Sequence, residues 1–434
     1  MSLDILTRQF LSFKGKGKVS FNDDVERDAD FSLNLTHNGR IQGNLEFSSD
    51  DPLLLSYSLQ SKKFSFTGID DDNKKTILAE DCMLTSYEGR SCRFSTHRIN
   101  WDPNVIRRTT KKELSLQFSL VNVYETFQVH VQTKLGMIDL KQYKSHLELE
   151  KLMSNYKIPL ITSVAELYIK DTNNKKIEDI LKEAIEIIRD FLKVTSLAQT
   201  CWHDWTLLQV YEQIGDTDQG RVVYREIRSP KLKPPHYRQL TNPAHSYDFI
   251  NAAWKGYSHE NDKFGFDYAL EWYIESNSVQ LDVIRFVLAT TCLELMISKF
   301  YNLKLYHKTM EDEQVHLLYS SIRKHVNKYL REKKIDNGTI SRICNLITKK
   351  PSYVDKTKQL LECWGISIAD IETKIEEIVE IRDSIIHRGM YFHDENINEA
   401  LKVIKASEDL FHILTRLFLA MLKYSDQYYY PPGP

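Results

Sequence analysis

The amino-acid sequence predicts a multidomain α+β protein, with an antiparallel β-rich N-terminal domain, a small α+β middle segment and an all-α helical bundle at the C-terminus. Three observations support this prediction. The chain has 434 residues, more than one hydrophobic core usually organises. Apolar and polar residues alternate in the first third of the chain, and apolar residues recur at spacings of three and four in the last part. We therefore predict domains at 1–138, 139–245 and 246–434.

The N-terminal domain is predicted from runs in which every second residue is apolar. Residues 31–36, 41–47, 63–67 and 113–120 follow this pattern, which is typical of half-buried strands. Turn signals such as Asn38-Gly39 separate the runs. The spacing of strands and turns indicates an antiparallel sandwich or barrel.

The middle segment changes character. An amphipathic run at 177–197 predicts a helix, and the apolar runs at 205–211 and 222–227 predict two strands. Prolines are concentrated at 229–236 and again at Asn242-Pro243, where they disfavour regular structure. We therefore expect a linker there and a domain boundary close to it.

The C-terminal domain has the helical period almost without interruption. A chain of consecutive amphipathic helices with short connections predicts a helical bundle. The predicted helices cover residues 246–257, 264–275, 279–301, 312–332, 337–348, 353–364, 368–388 and 395–423.

Composition limits the classes of function. The chain is 42% hydrophobic and 27% charged, as in an ordinary folded protein. Its formal net charge of -2 argues against a partner held by a strong global positive field, such as long non-specifically bound DNA, although it leaves room for a local basic patch.

Other sequence signals concern compartment and cofactors. The six cysteines show no C-x-x-C pair and no zinc-finger spacing, so we expect reduced core residues, no metal site and no cofactor. The first residues carry no secretion signal, and no stretch has the roughly 18 apolar residues needed to cross a bilayer. We expect a soluble cytoplasmic protein without a membrane partner.

The helix predicted at 368–388 carries the main candidate site. Ser367 and Asp370 have the spacing of a capping box, and Gly389 suits the position after the last turn. An isoleucine stripe runs along this helix, at positions 371, 375, 378, 385 and 386. Arg382 falls within the same stripe, so a positive charge occupies a position that faces a core.

His387 follows Arg382 by five residues, which places the two side chains roughly 140° apart around the helix. Asp383 lies four residues before His387, so its carboxylate could hold the imidazole and favour the protonated form. The negative end of the helix dipole acts in the same direction. A histidine in this position suits proton transfer near neutral pH.

Structural explanations compete with a catalytic one. An Arg with a His five residues later is expected about once by chance in such a chain, and Arg388 and His393 repeat the spacing across a helix end. Arg382 could instead form a buried ion pair with Glu294, which lies in the apolar run 291–297. A second dense cluster, Trp202-His203-Asp204-Trp205, is more typical of packing than of catalysis.

A family resemblance supports the catalytic interpretation. The run 381–389, which contains Arg382 and His387, resembles the R-polar-x-x-x-H signature of HEPN domains. The earlier run 283–297 resembles the opening helix of the ApeA-like HEPN branch, with Glu294 at the matching acidic position. The overall layout is similar to ApeA-type anti-phage defence proteins. Asp383 departs from the pattern, because many HEPN nucleases carry Asn there.

This resemblance implies a metal-independent endoribonuclease of antiviral defence, in which the ribose 2′-hydroxyl of RNA attacks the adjacent phosphate. It implies that Arg382 and His387 are catalytic, that Asp383 and Glu294 support them, and that the HEPN domain forms a homodimer. It also implies a phage-derived or cellular trigger at the N-terminal domain. The alternatives are a non-catalytic HEPN module for binding or dimerisation, and a nucleotide-binding partner of another enzyme.

Overall fold

The computed structural model describes most of the chain. The described residues are 12–21, 26–35, 40–48, 63–72, 74–88, 90–123, 129–142, 161–213, 220–230, 240, 246–257, 263–279, 281–308, 312–340, 343, 352–388 and 397–424. Only the backbone is described at residues 246, 304–308, 312–319, 387, 388 and 397.

The chain forms two compact units, Met1–Trp254 and Lys255–Pro434. The first is rich in β-strands and the second is helical, which confirms the predicted α+β character at this level. The boundary predicted at residue 138 falls inside a strand, Met137–Gln142, and strands from both sides of it pair in one sheet. The division after Trp254 lies within a helix, Ser246–Gly256.

The described part of the first unit contains thirteen strands, and each strand pairing in it is antiparallel. The strands are β1 (Ser12–Ser20), β2 (Glu26–Leu35), β3 (Ile41–Phe47), β4 (Lys63–Asp70), β5 (Thr76–Glu88), β6 (Ser91–Thr96), β7 (Arg98–Trp101), β8 (Leu114–Val121), β9 (Val129–Gln132), β10 (Met137–Gln142), β11 (Ile161–Ile169), β12 (Asp204–Gln213) and β13 (Gly220–Arg228).

Six of these strands close into a barrel in the order β4-β1-β2-β3-β6-β5, because β4 pairs with both β1 and β5. Alternate residues point inward, as the period-two pattern predicts. Gly17 lies opposite Gly68, and a Cβ atom at either residue would stand 2.5 Å from the ring of Phe66. The barrel interior is therefore filled by aromatic rings for which the glycines leave room.

The other seven strands form an open extension of the same sheet, in the order β7-β13-β12-β8-β11-β10-β9. Strand β7 pairs with β5 of the barrel and with β13. The helix predicted at 177–197 is present as α1 (Ile177–Gln199), and the strands predicted at 205–211 and 222–227 lie within β12 and β13. These three predictions of the middle segment are confirmed.

The remaining long helices follow the predicted order. They are α2 (Ser246–Gly256), α3 (Phe266–Ser278), α4 (Asp282–Lys308), α5 (Asp312–Glu332), α6 (Tyr353–Cys363), α7 (Glu372–Arg388) and α8 (Ile397–Met421). Of the helix predicted at 337–348, residues 337–340 and 343 are described as helical. In the second unit, α4 packs against α3, α6 and α8, and α7 packs against α6 and α8.

The capping box predicted at Ser367 and Asp370 is wrong. The Ser367 hydroxyl accepts a hydrogen bond from the Ala369 amide, and the Asp370 carboxylate pairs with Arg416 of α8 at 3.0 Å. Helix α7 begins later than predicted, at Glu372. A capping box does occur at the start of α6, where Ser352 and Asp355 bond to each other's backbone amides.

Other sequence predictions concern cysteines and membranes. Five cysteines are described, all free, and four of them are buried while Cys363 is exposed. None of the helices in the described part of the chain combines the length and the apolar character needed to span a bilayer.

His203 lies in the tryptophan-rich cluster at the start of β12 and is 4% exposed. Its Nδ1 atom lies 2.8 Å from the Thr195 hydroxyl of α1, and its buried Nε2 atom has no hydrogen-bond partner among the described residues. Burial lowers the pKa of His203 to about 3. The adjacent Asp204 is paired with Arg228. These contacts agree with a packing role for the cluster.

The buried imidazole predicts a pH dependence of stability. Between about pH 6.5 and 3, His203 binds a proton in the unfolded chain and stays neutral in the folded one, so acidification favours unfolding by up to about 1.4 kcal/mol per pH unit. We expect His203→Gln to remove this contribution. Urea unfolding of both proteins from pH 7 to pH 4 measures it, and equal slopes in the two proteins would contradict the assignment.

Candidate functional site

Arg382 lies on the face of α7 that packs into the second unit. Ile371, Ile375 and Ile378 on this face are buried, as the stripe predicts. The prediction that the whole isoleucine stripe is buried is wrong at its end, because Ile386 is 52% exposed. The Arg382 side chain is 21% exposed, so the charged group sits where the buried face of α7 meets solvent.

Two carboxylates hold the Arg382 guanidinium. Its Nε donates to Glu294 Oε1 of α4 at 2.5 Å, and its Nη2 contacts the same oxygen. Its Nη1 donates to Asp383 Oδ1 at 2.6 Å. The ion pair with Glu294, which the sequence left as an alternative to catalysis, is therefore formed. It connects two helices whose contributing residues are far apart in the chain.

Tyr353, the first residue of α6, completes the surroundings of Arg382. The centre of the guanidinium lies 4.8 Å from the centroid of the Tyr353 ring, a distance suited to a cation–π contact. The Tyr353 hydroxyl is buried, and in the described part of the chain it has no hydrogen-bond partner. Burial and the charge of Glu294 raise its pKa, so the hydroxyl stays protonated. Tyr353 was not predicted from the sequence, since its spacing from Arg382 carries no periodic signal.

The surroundings of Arg382 favour the charged form of its guanidinium. Partial burial works against the charged form, but hydrogen bonds to Glu294 and Asp383 and the charge of Glu294 outweigh it and raise the pKa of Arg382. Each Nη atom of a guanidinium carries two N–H groups, so Nη1 and Nη2 each keep a second N–H beyond the contacts described. The arrangement can present to an anion a fixed cation that has N–H groups not used by Glu294 or Asp383.

His387 lies in the last turn of α7, which ends at Arg388. Its side chain lies outside the described part of the structure, as do Gly389 and His393. Asp383, predicted to hold His387, is 50% exposed and uses one carboxylate oxygen for Arg382. The structure thus joins Arg382, Glu294 and Asp383, whereas the contact between Asp383 and His387 stays a prediction.

Comparisons with other proteins add no identification. The chain matches no protein-family model, no curated protein and no solved structure. Within the described residues, no three His, Cys, Asp or Glu side chains form a group that could hold a metal ion. The HEPN resemblance therefore rests on the sequence motifs alone.

The contact between Arg382 and Glu294 predicts energetic coupling. We expect Glu294→Gln and Arg382→Gln to lower stability non-additively, with a coupling free energy of about 1 kcal/mol, because the pair is partly shielded from solvent. The matched control is Glu377→Gln with Lys405→Gln, an exposed pair 3.9 Å apart, which should show no measurable coupling. Urea unfolding of the single and double variants gives both values. Equal coupling in the two pairs would refute the prediction.

Proposed function

We propose that the protein is a metal-independent endoribonuclease of the HEPN type that acts in antiviral defence, with its catalytic residues on α7. One observation carries the proposal: a guanidinium fixed by two carboxylates lies five residues before a histidine in the last turn of the same helix. A fixed cation and a nearby imidazole are the two groups that RNA cleavage by 2′-hydroxyl attack requires.

Each residue has a distinct part in the proposed reaction. His387 transfers the proton of the attacking 2′-hydroxyl, or returns one to the leaving 5′-oxygen. Arg382 stabilises the charge that develops on the phosphate, through the N–H groups not used by Glu294 and Asp383. These carboxylates and the Tyr353 ring keep the guanidinium in place, so little reorganisation is needed when charge develops. The products are a 2′,3′-cyclic phosphate and a free 5′-hydroxyl.

Helix geometry favours a site built from two chains. Five residues correspond to about 7.5 Å along the helix axis and roughly 140° around it, so Arg382 and His387 of one helix point in different directions. Two copies of α7 related by a two-fold axis can bring Arg382 of one chain to His387 of the other. We therefore propose a homodimer through the helical unit.

The N-terminal unit has a separate role in this proposal, which is to bind a phage-derived or cellular trigger. Aromatic rings fill the barrel interior, so the contact is expected on its outer surface. Growth of cells that express the protein, with and without phage, tests this role. We expect normal growth before infection, while the nuclease is restrained, and arrest of growth after infection. Arrest regardless of infection would contradict it.

One observation favours a non-catalytic helical module instead. All three nitrogens of the Arg382 guanidinium already contact carboxylate oxygens, as in a structural ion pair that joins two helices. In that case His387 has no role in chemistry, and substitution of Arg382 affects stability alone. RNA cleavage by the purified protein separates the two functions.

The catalytic proposal predicts that the purified protein cuts RNA into fragments with cyclic phosphate ends, leaves DNA intact and is unaffected by EDTA. His387→Ala should abolish cleavage with nearly unchanged melting temperature, because the substitution lies in the last turn of a helix. The control is His97→Ala, an exposed histidine of the other unit, which should cleave normally. Full activity of His387→Ala, or inhibition by EDTA that a divalent ion reverses, would disprove the proposal.

A further inference from the structure

The last part of α5 and the two residues after it carry a local concentration of positive charge in a chain whose formal net charge is -2. The residues from 320 to 334 include six cations and one acidic residue, Glu332. The cations are Arg323, Lys324, Lys328, Arg331, Lys333 and Lys334. From Ser320 to Glu332, no side chain of α5 is buried. Exposed cations gathered on one element can serve as an electrostatic surface.

Four of the six cations lie on one side of the helix. At about 100° per residue, Arg323, Lys324, Lys328 and Arg331 share one side of α5, which we call the basic face. All four are exposed, and none of them forms an ion pair within the described part of the chain. Lys324, Lys328 and Arg331 repeat at spacings of four and three, so they line up over about 10 Å of the helix.

We propose that the basic face of α5 binds the phosphate backbone of the RNA substrate, an inference that rests on the proposed nuclease function. Four exposed cations that pair with no carboxylate of the described residues attract a polyanion and release its counterions when it binds. Arginine adds paired N–H donors that fit phosphate oxygens. The basic face would hold the strand by its backbone, without reading its sequence.

The arrangement of faces favours RNA over a lipid surface. Ile322, Val326, Tyr329 and Leu330 form an apolar stripe whose centre lies roughly 150° around the helix from the centre of the basic face. A helix lying on a membrane turns its apolar stripe toward the lipid. In that orientation the basic face would point into water, away from the lipid phosphates.

The test neutralises the basic face in the full-length chain. The variant carries Arg323→Gln, Lys324→Gln, Lys328→Gln and Arg331→Gln, all conservative for helix propensity. The control removes the same charge from exposed lysines of the other unit, with Lys16→Gln, Lys111→Gln, Lys170→Gln and Lys176→Gln. Both sets are placed in His387→Ala protein, so that the probe is not cut. Circular dichroism checks that both proteins fold.

The probe is a fluorescent single-stranded RNA of about 20 nucleotides, longer than one typical single-strand site. Fluorescence anisotropy from 50 to 200 mM salt gives affinity and its salt dependence. With about 0.7 in slope for each phosphate contact, we expect the basic-face variant to flatten the plot of log affinity against log salt by about 2.8 and to weaken binding by at least about tenfold at low salt. The control should stay within about twofold of the parent.

Equal RNA binding by the basic-face variant and the parent would overturn the inference, as would an equal loss in variant and control. Loss of binding to phosphatidylserine vesicles with unchanged RNA binding would assign the basic face to a membrane instead. Cleavage of the same RNA by the wild-type protein is measured alongside. If the basic-face variant loses RNA binding but the wild-type protein does not cleave RNA, only the nuclease function is contradicted. If the wild-type protein cleaves RNA and the variant binds it as well as the parent does, only the role of the basic face is contradicted.

Discussion

Arg382 brings a positive charge to the contact between α7 and α4, and the proposed site depends on how that charge is compensated. Glu294 supplies the opposite charge from α4, and Asp383 supplies a second one from α7 itself. The Tyr353 ring covers the guanidinium from α6. A partly buried cation would be costly without these partners, so the same contacts that join three helices also immobilise the group proposed to meet the phosphate.

Those contacts explain why structure and catalysis are hard to separate at this position. An arginine that only joins helices needs its carboxylates and nothing more. A catalytic arginine needs them as well, because a preorganised cation stabilises developing charge better than a mobile one. A catalytic arginine differs in that it also uses its remaining N–H groups and works together with His387. The two residues are close along the axis of α7, but their side chains point in different directions around it. The proposed two-chain site would resolve that divergence without distorting α7.

The period of apolar residues predicted most elements, including β3, β4, α1 and α5, because burial on one face leaves a local record in the sequence. The same period could not predict that the barrel closes. Closure depends on the long-range pairing of β4 with β1 and β5, and alternation along one strand does not identify its partners. The predicted capping role of Asp370 was wrong, because its carboxylate pairs with Arg416, a tertiary contact that local spacing does not record. The ion pair of Arg382 with Glu294 was weighed as an alternative, whereas Tyr353 left no signal at all.

The most direct test of a catalytic Arg382 is the RNA cleavage rate of Arg382→Lys, measured together with its melting temperature. Lysine keeps the positive charge and can pair with Glu294, but it lacks the planar set of N–H donors. For a catalytic Arg382 we expect a cleavage rate lower by about 100-fold, with a melting temperature close to that of the wild type. A variant that cleaves RNA at the wild-type rate would show that Arg382 serves only to join α7 to α4.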